Sequence, residues 1–301
     1  MRFALLYSGY IGNLRRSLNS LKKNLFYIDS DEIDLYIVTK NLEHNVMKYM
    51  NKNTLKDINY IQVTGYTSSE IIELSPFNVK SIIEWEKHDN LVEEYNIEVE
   101  KFLDRTRNYE YTIPAVLNYD KESKIFTRPS IGSIFEQYFM VDIGLRNIKN
   151  SDINYDYVIR FRDRLILKHK IHRNYLNKDI IFLLGWPSKC FICEALVICN
   201  ENNFIKLFEN YHKMICGYRS DKYKDPNFAD TDLTFSGECQ FALRLFSLFN
   251  EENLFHSKFC VKHEVISYKN SDDFGESFIK NLPDDMDECE WRIYNDCLRV
   301  I

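Results

Sequence analysis

Apolar residues fill positions 3–7 and give way to Ser8 and Gly9, a run short enough to be a strand buried on both faces. Leu14, Leu18, Leu21 and Leu25 then recur at helical spacing, with Asn13 as a cap. Residues 33–39 form a second apolar run. Strand, helix and strand within some 40 residues predict a βαβ unit, and so a parallel sheet. A polar helix is expected around 42–49 and a further strand at 60–63. Residues 65–128 lack a clear period and read as an inserted excursion, loop-rich or helical.

Beyond it the pattern sharpens. Ile134, Tyr138, Val141, Leu145 and Ile148 share one face of a helix over 133–148. Strands are expected at 157–162, 179–184 and 194–199, and helices at 201–213 and 237–249. Residues 217–236 are polar and read as a loop. No repeat and no Pro/Gly/Ser linker divides the chain, so one α/β domain over 1–301 is expected, a mainly parallel twisted sheet flanked by helices.

Composition narrows the partners. The 301 residues carry a net charge of −6 and no long basic run, which argues against nucleic acid and against a polyanionic membrane surface. No stretch approaches the ~18 apolar residues of a membrane span. The opening apolar run is too short for a signal peptide, so a cytoplasmic location is expected. The eight cysteines include one C-x-x-C, Cys190 and Cys193, with no second pair at zinc-finger spacing; they read as reduced, buried small side chains. With only nine glycines, a Gly-rich phosphate loop is nearly excluded.

The strongest chemical signal is Tyr157-Val158-Ile159-Arg160-Phe161-Arg162, followed by Asp163 and Arg164. An apolar strand that ends in arginines places them at the carboxyl edge, where open α/β sheets bind ligands. Strand alternation would put Arg160, Arg162 and Arg164 on one face. Three like charges there need solvent or an anion, and a diphosphate suits guanidinium groups. The alternative is a solvated face with local ion pairs.

The run from Tyr155 to Arg162 resembles the central motif Tyr-Asp-x-Val-Ile-Arg-x-Arg-x-Asp-Leu of a family of GT-A-like nucleotide-sugar glycosyltransferases of bacterial and viral type. Ala4-Leu5-Leu6-Tyr7-Ser8-Gly9 resembles that family's opening strand, Asp34-Leu35-Tyr36-Ile37-Val38-Thr39 its second, and Glu194-Ala195-Leu196-Val197-Ile198-Cys199 a later one. The resemblance spans roughly residues 3–250. It implies sugar transfer from a nucleotide-diphosphate donor to a glycan or protein acceptor that the sequence does not name. It places Ser8, Gly9 and Arg15 at the nucleotide and Arg160 and Arg162 at the diphosphate, and the strand alternation adds Arg164 to that donor site. It makes Glu194 the general base, with Asp163 as a second catalytic or metal-binding carboxylate.

The sequence departs from the family where Arg164 stands in place of the motif's Asp, and Asp163 falls one position early. Three arginines would supply the positive charge that Mn2+ or Mg2+ otherwise brings, so metal-independent donor binding is favoured, with a metal at Asp163 the alternative. Asp230-Thr231-Asp232 is a literal D-x-D but follows no apolar strand and reads as a turn or cap. Glu238 begins a helix, where a carboxylate complements the dipole. His169 and His172 lack a third ligand. The competing reading is a catalytically inactive scaffold, a glycan- or protein-binding module on the same fold.

Overall fold

The computed structural model describes residues 1–9, 14–25, 32–40, 42, 44–50, 58–64, 66–106, 119–120, 125–126, 131–162, 165–167, 171, 176, 178–183, 195–215, 237–250, 253–256, 263–266 and 291–292. In chain order the elements are β1 (Arg2–Ser8), α1 (Leu14–Asn24), β2 (Glu32–Thr39), β3 (His44–Met50), β4 (Ile58–Thr64), α2 (Ser68–Leu74), β5 (Asn78–Glu84) and a single 3-10 turn (Trp85–Lys87). There follow α3 (Asp89–Thr106), β6 (Tyr119–Asp120), β7 (Ile125–Phe126), α4 (Ile131–Lys149), β8 (Tyr157–Phe161), β9 (Leu165–Leu167), β10 (Ile181–Leu183) and β11 (Leu196–Cys199). The last are α5 (Glu201–Phe208), α6 (Tyr211–Met214), α7 (Gly237–Leu248), β12 (Leu254–His256), β13 (His263–Ile266) and β14 (Trp291–Arg292).

Seven strands make the main sheet, in the order β12-β10-β11-β8-β1-β2-β5. β5, β2, β1 and β8 are mutually parallel, β11 runs against β8 and β10, and β10 pairs parallel with β12. This is the expected mainly parallel α/β sheet. Helices cover both faces, and the alternation of the strands sorts the core into two layers. Ala4, Leu6, Tyr36, Val38 and Val158 meet α3, α4, α5, α6 and α7. Phe3, Leu5, Tyr7, Leu35, Ile37 and Ile159 meet α1, α2 and β9. The three leucines of α1, Leu14, Leu18 and Leu21, are buried there, as is Leu25 just past its end.

α4 lies over β1 and β2, and a Cβ on its Gly144 would run into the Leu6 side chain. A glycine is what lets this helix approach the sheet so closely. At the amino edge Asp34, only 2% exposed, gathers four partners. It accepts from the Tyr155 hydroxyl (2.9 Å) and from Asn78 Nδ2 (2.6 Å). It also pairs with Arg2 (3.1 Å) and Lys80 (3.7 Å).

Three expectations are corrected. Residues 44–50 are not helical: they pair antiparallel with β4, from His44 opposite Thr64 to Met50 opposite Ile58. Val46 and Tyr49 favour strand, and cross-strand pairing outweighs the weak helical propensity of a polar segment. The excursion at 65–128 supplies β5, an edge strand of the main sheet; its only partly buried sequence, Asn-Val-Lys-Ser-Ile-Ile-Glu, hid it. The helix expected over 201–213 is two helices, broken at Asn210, which sits at φ 55. Asn is among the few non-glycine residues that tolerate that region.

Candidate functional site

On one side of β1 the chain continues to β2 and β5; on the other side lies β8. The strand order therefore reverses between β1 and β8, and the crevice beyond their carboxyl ends is the switch point where open α/β sheets take ligands. Leu6 stands opposite Arg160 and Tyr7 opposite Phe161. Ser8 and Gly9 thus flank the crevice on one side, and Arg162 on the other.

Each strand brings polar groups to this edge. Gly9 adopts φ 138, and its N–H donates to the carbonyl of Val38 at 3.1 Å. A side chain there would be strained, so the turn out of β1 needs glycine. Ser8 Oγ and Thr39 Oγ1, at the last positions of β1 and β2, are buried with no hydrogen-bond partner, as is Trp85 Nε1 just after β5. Strand alternation sets Ser8 on the Leu6 face and Thr39 on the Ile37 face, so these groups lie on both sides of the sheet at this edge.

Next to them lies a buried ion cluster. Lys40 Nζ is 3.1 Å from Glu136 Oε1 on α4 and 3.5 Å from Glu86 Oε1, and it stands 5.7 Å from the centre of the Trp85 ring. Burial alone would lower the Lys40 pKa, but the charges of Glu136 and Glu86 outweigh it and hold the ammonium above its ordinary value.

Arg160 is fully buried, its guanidinium 5.3 Å from the Tyr138 ring centre and 5.6 Å from that of Phe208. It is stacked in the core under α4 and α5 rather than displayed at the rim. Arg162 is half-buried at the strand end, and its N–H donates to the carbonyl of Ala195 at 3.0 Å. β8 stops at Phe161, and the Leu165 N–H returns to the Arg162 carbonyl at 3.4 Å. Asp163, Arg164, Glu194, Asp230, Asp232, His169, His172, Cys190 and Cys193 lie outside the described residues; so do the side chains of Arg15 and Glu238. Ala195, next to Glu194, joins the β8 end of the crevice.

No family model matches this chain, and no curated protein does. Among solved structures, the apo crystal structure of mouse xyloside xylosyltransferase 1 aligns with 85% of this chain and 85% of its own, at 10% identity and a TM-score of 0.39.

A second cluster lies away from the edge. Glu94, Asp142 and His212, from α3, α4 and α6, bring ligand-type atoms within 4.8 Å of one another. Arg146 already occupies the cation's place, 2.9 Å from Glu94 and 3.2 Å from Asp142. Asp142 also accepts the Asn210 N–H at 2.7 Å, which holds the turn into α6. Burial pushes the Asp142 carboxyl above its usual range. The group explains how three helices are tied together. Among the described residues no helix is long and apolar enough to cross a membrane.

Lys40, Glu136, Thr39 and Trp85 were not singled out by the sequence. The available signal was weak: a lone lysine ending an apolar strand, and a lone carboxylate on the otherwise apolar start of α4.

Proposed function

We propose that this chain is a single-domain GT-A-type glycosyltransferase of the cytosol, transferring a sugar from a nucleoside-diphosphate donor to a glycan or protein hydroxyl. The observation that carries the reading is the crevice at the β1–β8 switch point, with Ser8 and Gly9 on one wall and Arg162 on the other. Ser8, Gly9 and Arg15 hold the nucleotide. Arg162 and Arg164 meet the diphosphate. Arg160, stacked between Tyr138 and Phe208, adds its charge from beneath the floor. In the transfer the acceptor oxygen bonds to the anomeric carbon and the bond to the phosphate oxygen breaks. The acceptor proton passes to Glu194, and the diphosphate leaves as an anion neutralised by the arginines. If Mn2+ or Mg2+ takes part, Asp163 is its ligand; the arginines favour binding without it.

A scaffold that binds a glycan or protein without transfer is the second reading, favoured by the burial of Arg160 away from the rim. A thermal-shift series with UDP, GDP and free sugars separates the two, run in EDTA and then in manganese. The expected result is a raised Tm with a nucleoside diphosphate in EDTA and none with free sugar; saturation at a hundred times Kd stabilises by about 2.7 kcal/mol. No shift with either nucleotide at millimolar concentration, with or without manganese, would sink the glycosyltransferase reading.

A further inference from the structure

Lys40 is the first residue after β2, and it joins three elements. Its carbonyl accepts the Glu86 N–H at 3.2 Å, which ties the end of β2 to the segment after β5. The Leu42 N–H donates to Glu84 Oε2 at 2.8 Å, and Lys87 pairs with the same carboxylate at 3.0 Å. The Lys40 ammonium then reaches across to Glu136 at 3.1 Å, on α4.

Glu136 stands near the crevice for a geometric reason. α4 leads into β8, which is parallel to β1, so α4 runs opposite to both strands. Gly144 lies over Leu6. Going back eight residues from Gly144 to Glu136 covers about 12 Å of helix axis toward the carboxyl edge. From Leu6 to Ser8, β1 covers about 7 Å in the same direction. The amino-terminal turns of α4 therefore overhang the ends of β1 and β2, and the Lys40–Glu136 pair fixes that overhang.

Its chemistry is costly for a mere brace. Lys40 is 8% and Glu136 5% exposed, and apolar groups of similar shape usually stabilise as well as a buried ion pair. What a charged pair adds is a defined geometry. We infer that Lys40 is a positioning residue for the donor site: through Glu136 it sets the amino-terminal end of α4 against Ser8 and Gly9, and so the width of the crevice that receives the nucleotide. This rests on the glycosyltransferase reading above.

The test uses the full chain with Lys40→Met, Glu136→Gln and the double variant, measuring ligand-free Tm and the Kd of UDP and GDP by calorimetry. Lys40→Met strands a buried Glu136 and should lower Tm. The double variant removes both charges and should recover Tm, because Glu86 is solvated enough to stand alone. The expected result is that nucleotide binding stays weaker by about tenfold or more at recovered Tm. Glu136→Gln alone keeps Lys40 with Glu86 and serves if the double variant does not fold; it should weaken binding in the same direction. Wild-type affinity in the double variant, or in Glu136→Gln, would overturn the inference and leave the pair a brace. If wild type itself binds neither nucleotide, the glycosyltransferase reading fails and this inference falls with it. Wild-type binding that the variants leave intact sinks this inference alone.

Discussion

Asp34→Ala tests whether the amino edge of the sheet is pinned by one carboxylate. Asp34 is 2% exposed and accepts from Tyr155 and Asn78 at 2.9 and 2.6 Å. Hydrogen bonds to a charged group are worth about 1.5–3 kcal/mol each. Arg2, with its side chain 36% exposed, regains water and adds little. Truncation leaves the Tyr155 hydroxyl without its acceptor, with Tyr36 2.7 Å away as its remaining partner. Non-additivity trims the sum, so the expected loss is about 3–5 kcal/mol, as for other broken buried pairs. In a chain of this size that lowers Tm on the order of 10 °C. Glu32 also pairs with Arg2, at 3.3 Å, but is 68% exposed, so Glu32→Ala should cost no more than about 0.5 kcal/mol. Asp34→Asn keeps the shape and one acceptor and should fall between. Urea and thermal melts of the three variants give the comparison. Asp34→Ala within about 1 kcal/mol of wild type, or indistinguishable from Glu32→Ala, would refute the argument from burial.

Two further outcomes are expected. Burial, followed by hydrogen bonds with Tyr36 and Asp34, holds the Tyr155 hydroxyl far above its ordinary pKa. A group with a raised folded pKa contributes stability below its unfolded value, about 10, and loses it as pH climbs further; wild type should therefore lose Tm more steeply than Tyr155→Phe above that pH, and parallel melting curves would count against the network. Glu194→Gln should leave nucleotide binding and Tm unchanged while transfer falls by about 10²-fold or more, and near-normal turnover would remove it as the base.

What the sequence disclosed follows burial. β1, β2, β8 and β11 are buried on both faces, so their apolar runs stand out, and the leucines of α1 recur with helical spacing. β5 escaped notice because it is a partly buried edge strand and so carries mixed residues. The 44–50 segment misled because its pairing partner lies some ten residues ahead, where local propensity cannot register it. The crevice was legible only at Ser8, Gly9, Arg160 and Arg162, each ending an apolar run. Even there, the sequence placed Arg160 at the rim, whereas two aromatic rings from distant helices enclose it. Lys40, Glu136 and Trp85 become a group only once β2, β5 and α4 are side by side, and no spacing within any one segment encodes that.

The interior position of β1 also bears on how the chain is made. One edge of β1 pairs with β2, which follows within a few dozen residues, but the other waits for β8; Arg2 and Asp156, which bond across that join, are 154 positions apart. At about 5–20 residues per second, a ribosome takes roughly 8 to 30 s to deliver the missing strand. For that interval the nascent chain offers an unpaired apolar strand edge, the feature that templates pairing with other chains. Contacts this distant also slow folding, because the loop must close before it is rewarded. Fragments ending before β8 should thus aggregate or engage chaperones, while those that include it should not.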